Sequence, residues 1–179
     1  MSVLEPDDAW VERLRGRDPE ALRELLDGIG PGVHAFLARF TGSRDDADDL
    51  LQEVVLRVLE GLPRYRHAGR FRAWVFAIAA NAARDRVRRR SGEARVLDRQ
   101  AAPGDAPSAD AAAVAREEVT RVEAAIARLP DVQREVFLLR VHTGLTFREI
   151  AGLLGCPLNT VLGRMHDAVE RLRNAIDSR

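Results

Sequence analysis

Apolar residues recur at spacings of three and four along most of the chain, and no run alternates between apolar and polar positions as a strand would. This pattern predicts an all-α fold. A first helical segment begins at Asp18 and Pro19, and Gly30 and Pro31 should kink or split it because proline interrupts a helix. Its apolar positions are Leu22, Leu25, Leu26, Ile29, Val33, Phe36, Leu37 and Phe40.

Two further helices are predicted in the first half of the chain. One carries an apolar ladder from Ala47 to Leu59 and ends near Gly61 and Pro63. The next begins near Phe71 and runs into an arginine-rich stretch at residues 84–90. We expect this third helix to bury Phe71, Trp74, Val75, Ile78 and Ala82.

Residues 93–115 differ from the helical segments, since they are rich in Ala, Pro, Gly, Ser and Asp and poor in large apolar side chains. Such a composition predicts a flexible linker. Periodic segments resume with Val119, Val122, Ile126 and Leu129 before Pro130, and with Val132, Val136 and Leu139 before Gly144. We therefore predict two small helical domains, residues 1–92 and 116–179, joined by the linker.

The C-terminal segment has the pattern of a helix-turn-helix. Thr146 and Glu149 form a capping-box sequence that opens a short helix, and Gly155-Cys156-Pro157 supplies a tight turn before a longer one. The second helix of such a motif can enter the DNA major groove. The alternative is a helical hairpin that only packs. The outward residues at the start of the second helix are Asn159, Thr160, Gly163, Arg164, His166 and Asp167.

Charge is segregated along the chain, although 28 basic and 28 acidic residues cancel overall. Residues 1–60 carry 7 basic and 14 acidic side chains, a net charge of −7, whereas residues 61–100 carry 11 and 3, a net charge of +8. Cys156 is the only cysteine, which excludes an internal disulfide. No stretch approaches the roughly 20 apolar residues of a membrane span, so we expect a cytoplasmic protein that does not insert into a membrane.

Aromatic and arginine residues interleave between Pro63 and Arg90. Unpaired bases stack on aromatic rings while arginines follow the phosphates, so this composition suits single-stranded nucleic acid. Along the third helix Trp74, Asn81, Arg84 and Arg88 fall on one face. The alternatives are that Trp74 packs in the core and that the arginine run is a solvated helix face.

The second helix has the opposite charge, with a row of carboxylates from Asp45 to Glu60 on its non-core face. This face would repel DNA. It is either a solvated face, with aspartates that favour the helix start, or a docking surface for a basic protein partner.

Sequence motifs for catalysis are absent. The chain has no phosphate-binding loop, no dinucleotide-binding turn and no nucleophile elbow, and its four histidines lack the spacing of a zinc site. We therefore predict a protein that is not an enzyme and has no cofactor or metal.

Several blocks resemble a known family. Residues 48–54 (DDLLQEV) and 71–90 (FRAWVFAIAANAARDRVRRR) resemble region two of the extracytoplasmic-function sigma factors of bacterial RNA polymerase. Residues 129–136 (LPDVQREV), 145–151 (LTFREIA) and 155–161 (GCPLNTV) are similar to region four of the same family. The blocks occur in the family's order and cover most of the chain.

The resemblance implies a sigma factor that binds core RNA polymerase and directs promoter recognition, melting and transcription initiation. Asp49, Gln52 and Glu53 would dock on the polymerase clamp. The helix-turn-helix would read the duplex minus-thirty-five element, and an anti-sigma factor is a further partner that the resemblance allows. The melted minus-ten strand would be bound by Tyr65, Arg66, Arg70, Trp74, Asn81, Arg84 and Arg88.

This sequence departs from the family in the recognition helix, where Leu162, Gly163 and Asp167 stand at positions that often carry basic residues or serine. Fewer cations then face the phosphates, so weaker or unusual binding of the minus-thirty-five element is expected. Two other hypotheses remain: a stand-alone helix-turn-helix regulator, and an interaction protein that mimics a sigma factor and leaves promoter DNA closed.

Overall fold

The computed structural model describes residues 6–66, 69–96 and 120–177. Every regular element in these ranges is helical, which confirms the all-α prediction. The first block contains α1 (Asp8–Arg15), α2 (Pro19–Gly28), α3 (Gly30–Thr41), α4 (Arg44–Gly61), a 3₁₀ turn (Leu62–Arg64) and α5 (Phe71–Val96). The second contains α6, whose described part is 120–127, and α7 (Asp131–Thr143), α8 (Phe147–Leu154) and α9 (Leu158–Asp177).

Short polar side chains fix most helix starts. Asp18 caps α2 by accepting hydrogen bonds from the backbone of Glu20 and Ala21, and Ser43 caps α4 in the same way. The predicted break at Gly30 and Pro31 is confirmed, since α2 ends at Gly28 and α3 begins at Gly30. The break turns the chain so that α2 and α3 pack on each other.

Helix α1 was not predicted from the sequence. Asp7 caps it with a 2.7 Å hydrogen bond from the backbone N–H of Trp10, and its buried residues are Trp10, Val11 and Leu14. A capping aspartate before apolar residues at spacings of three and four was the available signal.

The core of the first block is built around phenylalanines. The rings of Phe36 and Phe40 lie 5.8 Å apart on α3, and Phe76 of α5 meets Phe36 edge-on at 5.9 Å. Phe71, Val75 and Ala82 are buried as predicted, but Trp74 and Ile78 are only half-buried. The inner face of α5 instead includes Phe76, Ala79, Ala80 and Ala83.

The predicted core of the second block is correct near its centre and wrong at four positions. Val122, Val132, Val169 and Ile176 are 37–48% exposed, whereas Ile126, Val136, Val161 and Leu172 are buried. Helix α9 continues beyond Leu172, its last buried residue, and its final turns are exposed.

The two blocks pack directly against each other. Helix α7 lies on α3, where the Arg134 guanidinium sits 5.3 Å from the centre of the Phe40 ring, and α5 contacts both α7 and α8. Arg39 of α3 forms a 3.3 Å ion pair with Glu123 of α6. Helix α5 continues to Val96, into the segment predicted as linker, and the rest of that segment lies outside the described residues.

Candidate nucleic-acid interface

A stacked pair of aromatic rings marks the junction between the 3₁₀ turn and α5. The rings of Tyr65 and Trp74 lie 4.5 Å apart with an interplanar angle of 25°, and both side chains are half-buried. Phe71 lies beneath them at 5.5 and 5.6 Å and is itself buried. Phe71 is therefore a core residue, whereas Tyr65 and Trp74 retain surface that a ligand can reach.

Two residues that the sequence did not single out hold this pair in place. A β-carbon at Gly61 would lie 2.8 Å from Trp74 Cζ2, so only glycine lets the indole approach the end of α4 this closely. Arg15 of α1 donates hydrogen bonds to the carbonyl oxygens of Leu62 (3.2 Å) and Tyr65 (2.9 Å). These bonds fix the backbone of the turn that presents Tyr65.

Cations surround the stacked pair. Arg66 and Arg70 are exposed and line a cleft of about 750 Å³ together with Tyr65 and Trp74. The opposite wall belongs to the second block and includes Thr146, Arg148, Glu149, Gly152 and Leu153. The structure thus brings together four of the seven residues predicted to bind the minus-ten strand.

The other three predicted residues, Asn81, Arg84 and Arg88, continue along α5. Asn81 is exposed, and the Arg88 side chain is 82% exposed with a 2.9 Å ion pair to Asp85. Arg84 behaves differently, because its Nε lies 2.9 Å from Oε1 of Glu135 in α7.

The arginine-rich end of α5 divides between two faces. Arg86 and Arg90 contact Asp46 of α4 at 2.7 and 3.3 Å, and Arg86 also lies 3.9 Å from Asp49. The Asp46 side chain is only 16% exposed. These two arginines therefore hold α5 on α4 and are directed away from the face that carries Asn81 and Arg88.

The acidic helix α4 keeps the three residues predicted to bind polymerase near its surface. Gln52 is exposed and the Asp49 side chain is 71% exposed. Glu53 is half-buried and forms an ion pair with Arg57 one turn later, which neutralises part of its charge. This surface faces away from the core, which holds Leu50 and Val54.

The helix-turn-helix geometry is present in α8 and α9. The Thr146 hydroxyl accepts from the backbone N–H of Glu149 at 3.3 Å, and the Glu149 carboxylate accepts from the backbone N–H of Thr146 at 2.8 Å. Hydrogen bonds from Thr146 hold the pKa of Glu149 below its usual value. Gly155 then turns the chain in the left-handed conformation, with φ of 62°.

The six outward residues predicted for α9 differ in how freely they can meet DNA. Asn159, Gly163, His166 and Asp167 are exposed, whereas Thr160 and Arg164 are half-buried. Arg164 lies 3.9 Å from the Cys156 sulfur, and Asp167 accepts a 3.4 Å hydrogen bond from Gln133 of α7.

Glu135 is the one buried carboxylate at the junction of the described blocks. Burial raises its pKa, while the nearby Arg84 and Arg164 guanidinium groups oppose that rise. The sequence gave no sign that Glu135 would meet Arg84, because the contact joins two blocks separated by the predicted linker.

The fold and this site define a two-domain helical protein with an aromatic and cationic surface on one domain and a helix-turn-helix on the other. The model of Sigma-70 region 2 matches residues 25–93, and that of Sigma-70 region 4 matches residues 120–172. The ECF RNA polymerase sigma factor SigD of Mycobacterium tuberculosis is 36% identical over 178 residues, covering 94% of this chain and 83% of SigD. SigK of the same organism is 32% identical and covers 95% and 93%.

Solved structures share the fold. CnrH, determined in complex with the cytosolic domain of CnrY, aligns with a TM-score of 0.71 at 24% identity over 95% of this chain and 96% of CnrH. The sigma factor RpoE of Bartonella quintana, in complex with the anti-sigma factor NepR, aligns with a TM-score of 0.69 at 24% identity over 86% and 94%.

The chain belongs to the ECF RNA polymerase sigma factors. It is therefore a transcription initiation factor, as the resemblance of its motifs had implied. In the part of the chain that the structure describes, no helix is both long enough and apolar enough to cross a membrane.

Proposed function

We propose that this sigma factor divides promoter binding between its two domains. Residues 1–92 would bind core polymerase and the melted minus-ten strand, residues 116–179 would bind the duplex minus-thirty-five element, and residues 93–115 would connect them. The chemistry of RNA synthesis would belong to the polymerase alone, since this chain serves only to bind and position.

The stacked Tyr65–Trp74 pair carries this proposal. Each stacked base contributes about 1–3 kcal/mol to single-strand binding, and half-buried rings beside exposed Arg66 and Arg70 provide both stacking and phosphate contacts. The unstacking of a promoter base costs a few kcal/mol, which contacts of this kind can offset. Asn81, Arg84 and Arg88 would extend the path of the strand along α5.

The remaining assignments follow the same surfaces. Asp49, Gln52 and Glu53 would contact a basic surface of the polymerase, which suits the acidic exposed face of α4. Asn159, Thr160, Gly163, Arg164, His166 and Asp167 would face the minus-thirty-five duplex. Since Arg164 is the one arginine or lysine among the six, few phosphate contacts are available, and this element should bind weakly.

An anti-sigma factor is a further proposed partner. The CnrH structure includes the cytosolic domain of CnrY, and the RpoE structure includes the anti-sigma factor NepR. A protein of this class would have to cover surfaces that polymerase or promoter DNA also need. Co-purification of the full chain with proteins encoded beside its gene tests this partner.

Reconstituted transcription tests the proposed function. The purified chain should give promoter-specific transcripts with bacterial core polymerase, and permanganate should detect unpaired thymines at the minus-ten element. Trp74→Ala should reduce the unpaired signal more than it reduces duplex binding. Failure to bind core polymerase would refute the proposal, and tight duplex binding without polymerase would instead indicate a stand-alone regulator.

Arg88 and Arg89 provide a matched comparison, since both are exposed arginines on α5 but they point in directions one residue apart around the helix. Arg88→Ala should lower the salt dependence of single-strand binding by about 0.7 in the log–log slope, the value for one phosphate contact. Arg89→Ala removes the same charge and should leave the slope near that of the wild type. Equal effects would mean that only net charge matters.

A further inference from the structure

The face of α5 assigned to the promoter strand is also the face that meets the second domain. Trp74 and Ala77 line the cleft whose other wall includes Gly152 and Leu153 of α8. Ten residues after Trp74, on the same side of the helix, Arg84 contacts Glu135 of α7. A strand that followed α5 from Trp74 to Arg84 would therefore have to pass where α7 and α8 now lie.

The contact between Arg84 and Glu135 competes directly with a phosphate. The Glu135 side chain is 6% exposed and its oxygen lies 2.9 Å from Arg84 Nε. Nε is one of the donors with which arginine grips a phosphate in a two-point contact. Arg84 therefore has to give up Glu135 before it can bind a phosphate in that way.

The interface has few other polar ties. Arg72 of α5 donates a 3.2 Å hydrogen bond to the carbonyl oxygen of His142 at the end of α7. Among the described residues, buried side-chain atoms without a hydrogen-bond partner are Arg72 Nε, Gln133 Oε1, Arg134 Nε and Glu135 Oε1, all on α5 or α7. Unsatisfied buried polar groups oppose burial, so this interface is suited to opening.

We propose that the surface formed by α7 and α8 is an intramolecular partner of the promoter-strand surface, so that the second domain and the melted strand compete for Trp74 and Arg84. This inference rests on the proposed function, because it takes those two residues to be strand contacts. In the closed arrangement the strand-binding surface is incomplete. Strand binding then requires the second domain to move away from α5.

Two substitutions weaken the interface with opposite changes of charge. Glu135→Gln removes the carboxylate that holds Arg84, and Arg72→Gln removes the hydrogen bond to His142. On charge alone, the first should tighten DNA binding and the second should weaken it. The proposal predicts that both tighten it. Glu170→Gln, at an exposed position of α9, is the matched control for loss of a negative charge.

The natural chain allows domain separation to be measured by energy transfer. Its two tryptophans, Trp10 and Trp74, lie in the first domain, and its single cysteine, Cys156, lies in the second. A dye acceptor on Cys156 should show less transfer from tryptophan in both interface variants than in the wild type. Strand binding is measured separately with unlabelled protein and fluorescein-labelled single-stranded DNA of mixed sequence.

Opening that is already complete in the variants removes the part of the binding energy spent on it. If the open form is about one tenth of the wild-type population, the apparent affinity for the strand should rise by up to about tenfold. Glu170→Gln should match the wild type in energy transfer and change the affinity far less. If Glu135→Gln does not fold, Arg72→Gln alone decides, since its predicted effect opposes its charge.

Three results would overturn the proposal or its basis. Wild-type energy transfer and wild-type affinity in folded variants would exclude competition between the domain and the strand. Tighter binding by both glutamate variants with weaker binding by Arg72→Gln would show that charge alone acts. If transfer falls in the variants but no form binds the strand, the domains do separate and the assignment of Trp74 and Arg84 as strand contacts fails instead.

Discussion

Replacement of Gly61 by alanine would separate the position of Trp74 from the stability of the helix beneath it. Gly61 has φ of −81° and ψ of −22°, a right-handed helical conformation that alanine adopts without strain. Alanine favours a helix over glycine by up to about 1 kcal/mol. Backbone preference alone therefore predicts a slightly more stable protein.

The indole of Trp74 reverses part of that gain. An alanine β-carbon would lie 2.8 Å from Trp74 Cζ2 and 3.3 Å from Cη2, so the ring has to shift. Its stack with Tyr65, now at 4.5 Å, is worth about 0.5–1.5 kcal/mol and would be disturbed. The two effects nearly cancel, and we expect the free energy of unfolding to stay within about 1 kcal/mol of the wild type.

Strand binding should respond much more strongly than stability. If the displaced ring loses one base stack of about 1–3 kcal/mol, affinity for single-stranded DNA should fall by about 5- to 150-fold. Urea denaturation measures stability, near-ultraviolet circular dichroism reports the environment of the rings, and fluorescence anisotropy measures binding. Gly152→Ala is the control, because a β-carbon there meets nothing within 4 Å. An unchanged aromatic spectrum together with unchanged strand affinity would refute the reasoning.

Three other predictions concern stability. Thr146→Ala removes the capping box of α8 and should lower the free energy of unfolding, measured in urea, by about 1 kcal/mol. The pKa of Asp18 is lowered, chiefly by a hydrogen bond from Arg13, so its contribution is present above its ordinary pKa and is lost as the pH falls through the lowered value. Asp18→Asn should therefore be less stable than the wild type near neutral pH, and denaturation at a series of pH values should show the difference closing in acid. Arg86→Ala should lower Tm in calorimetry, because the largely buried Asp46 loses a close partner, and should leave strand affinity unchanged.

Helices could be predicted from the sequence where their apolar stripe is packed along its whole length. The break at Gly30 and Pro31 depends on local backbone chemistry, so it was predictable without knowledge of any neighbour. Val169 and Ile176 continue the stripe of α9 in the sequence, yet they are exposed because the described block buries that helix only as far as Leu172. Periodicity gives the direction of a face but not the extent of what covers it.

The candidate site was predictable as a set of residue types, and its support was not. Tyr65 and Trp74 stood out by their composition, whereas Gly61 and Arg15 act on them through contacts that depend on tertiary structure. Sequence spacing placed Trp74 and Arg84 on one face of α5. It could not show that Glu135, about fifty residues later, would meet that face.

The charge segregation along the chain has two physical outcomes that a count cannot separate. Part of the acidic segment neutralises part of the basic one, since Asp46 of α4 contacts both Arg86 and Arg90 of α5. Those arginines cannot contribute fully to the field that a nucleic acid meets. Arg88 lies on the other side of the helix and stays largely exposed, because no carboxylate of α4 reaches it. The strand-binding surface of α5 is thus defined as much by the cations that α4 removes as by those that α5 carries.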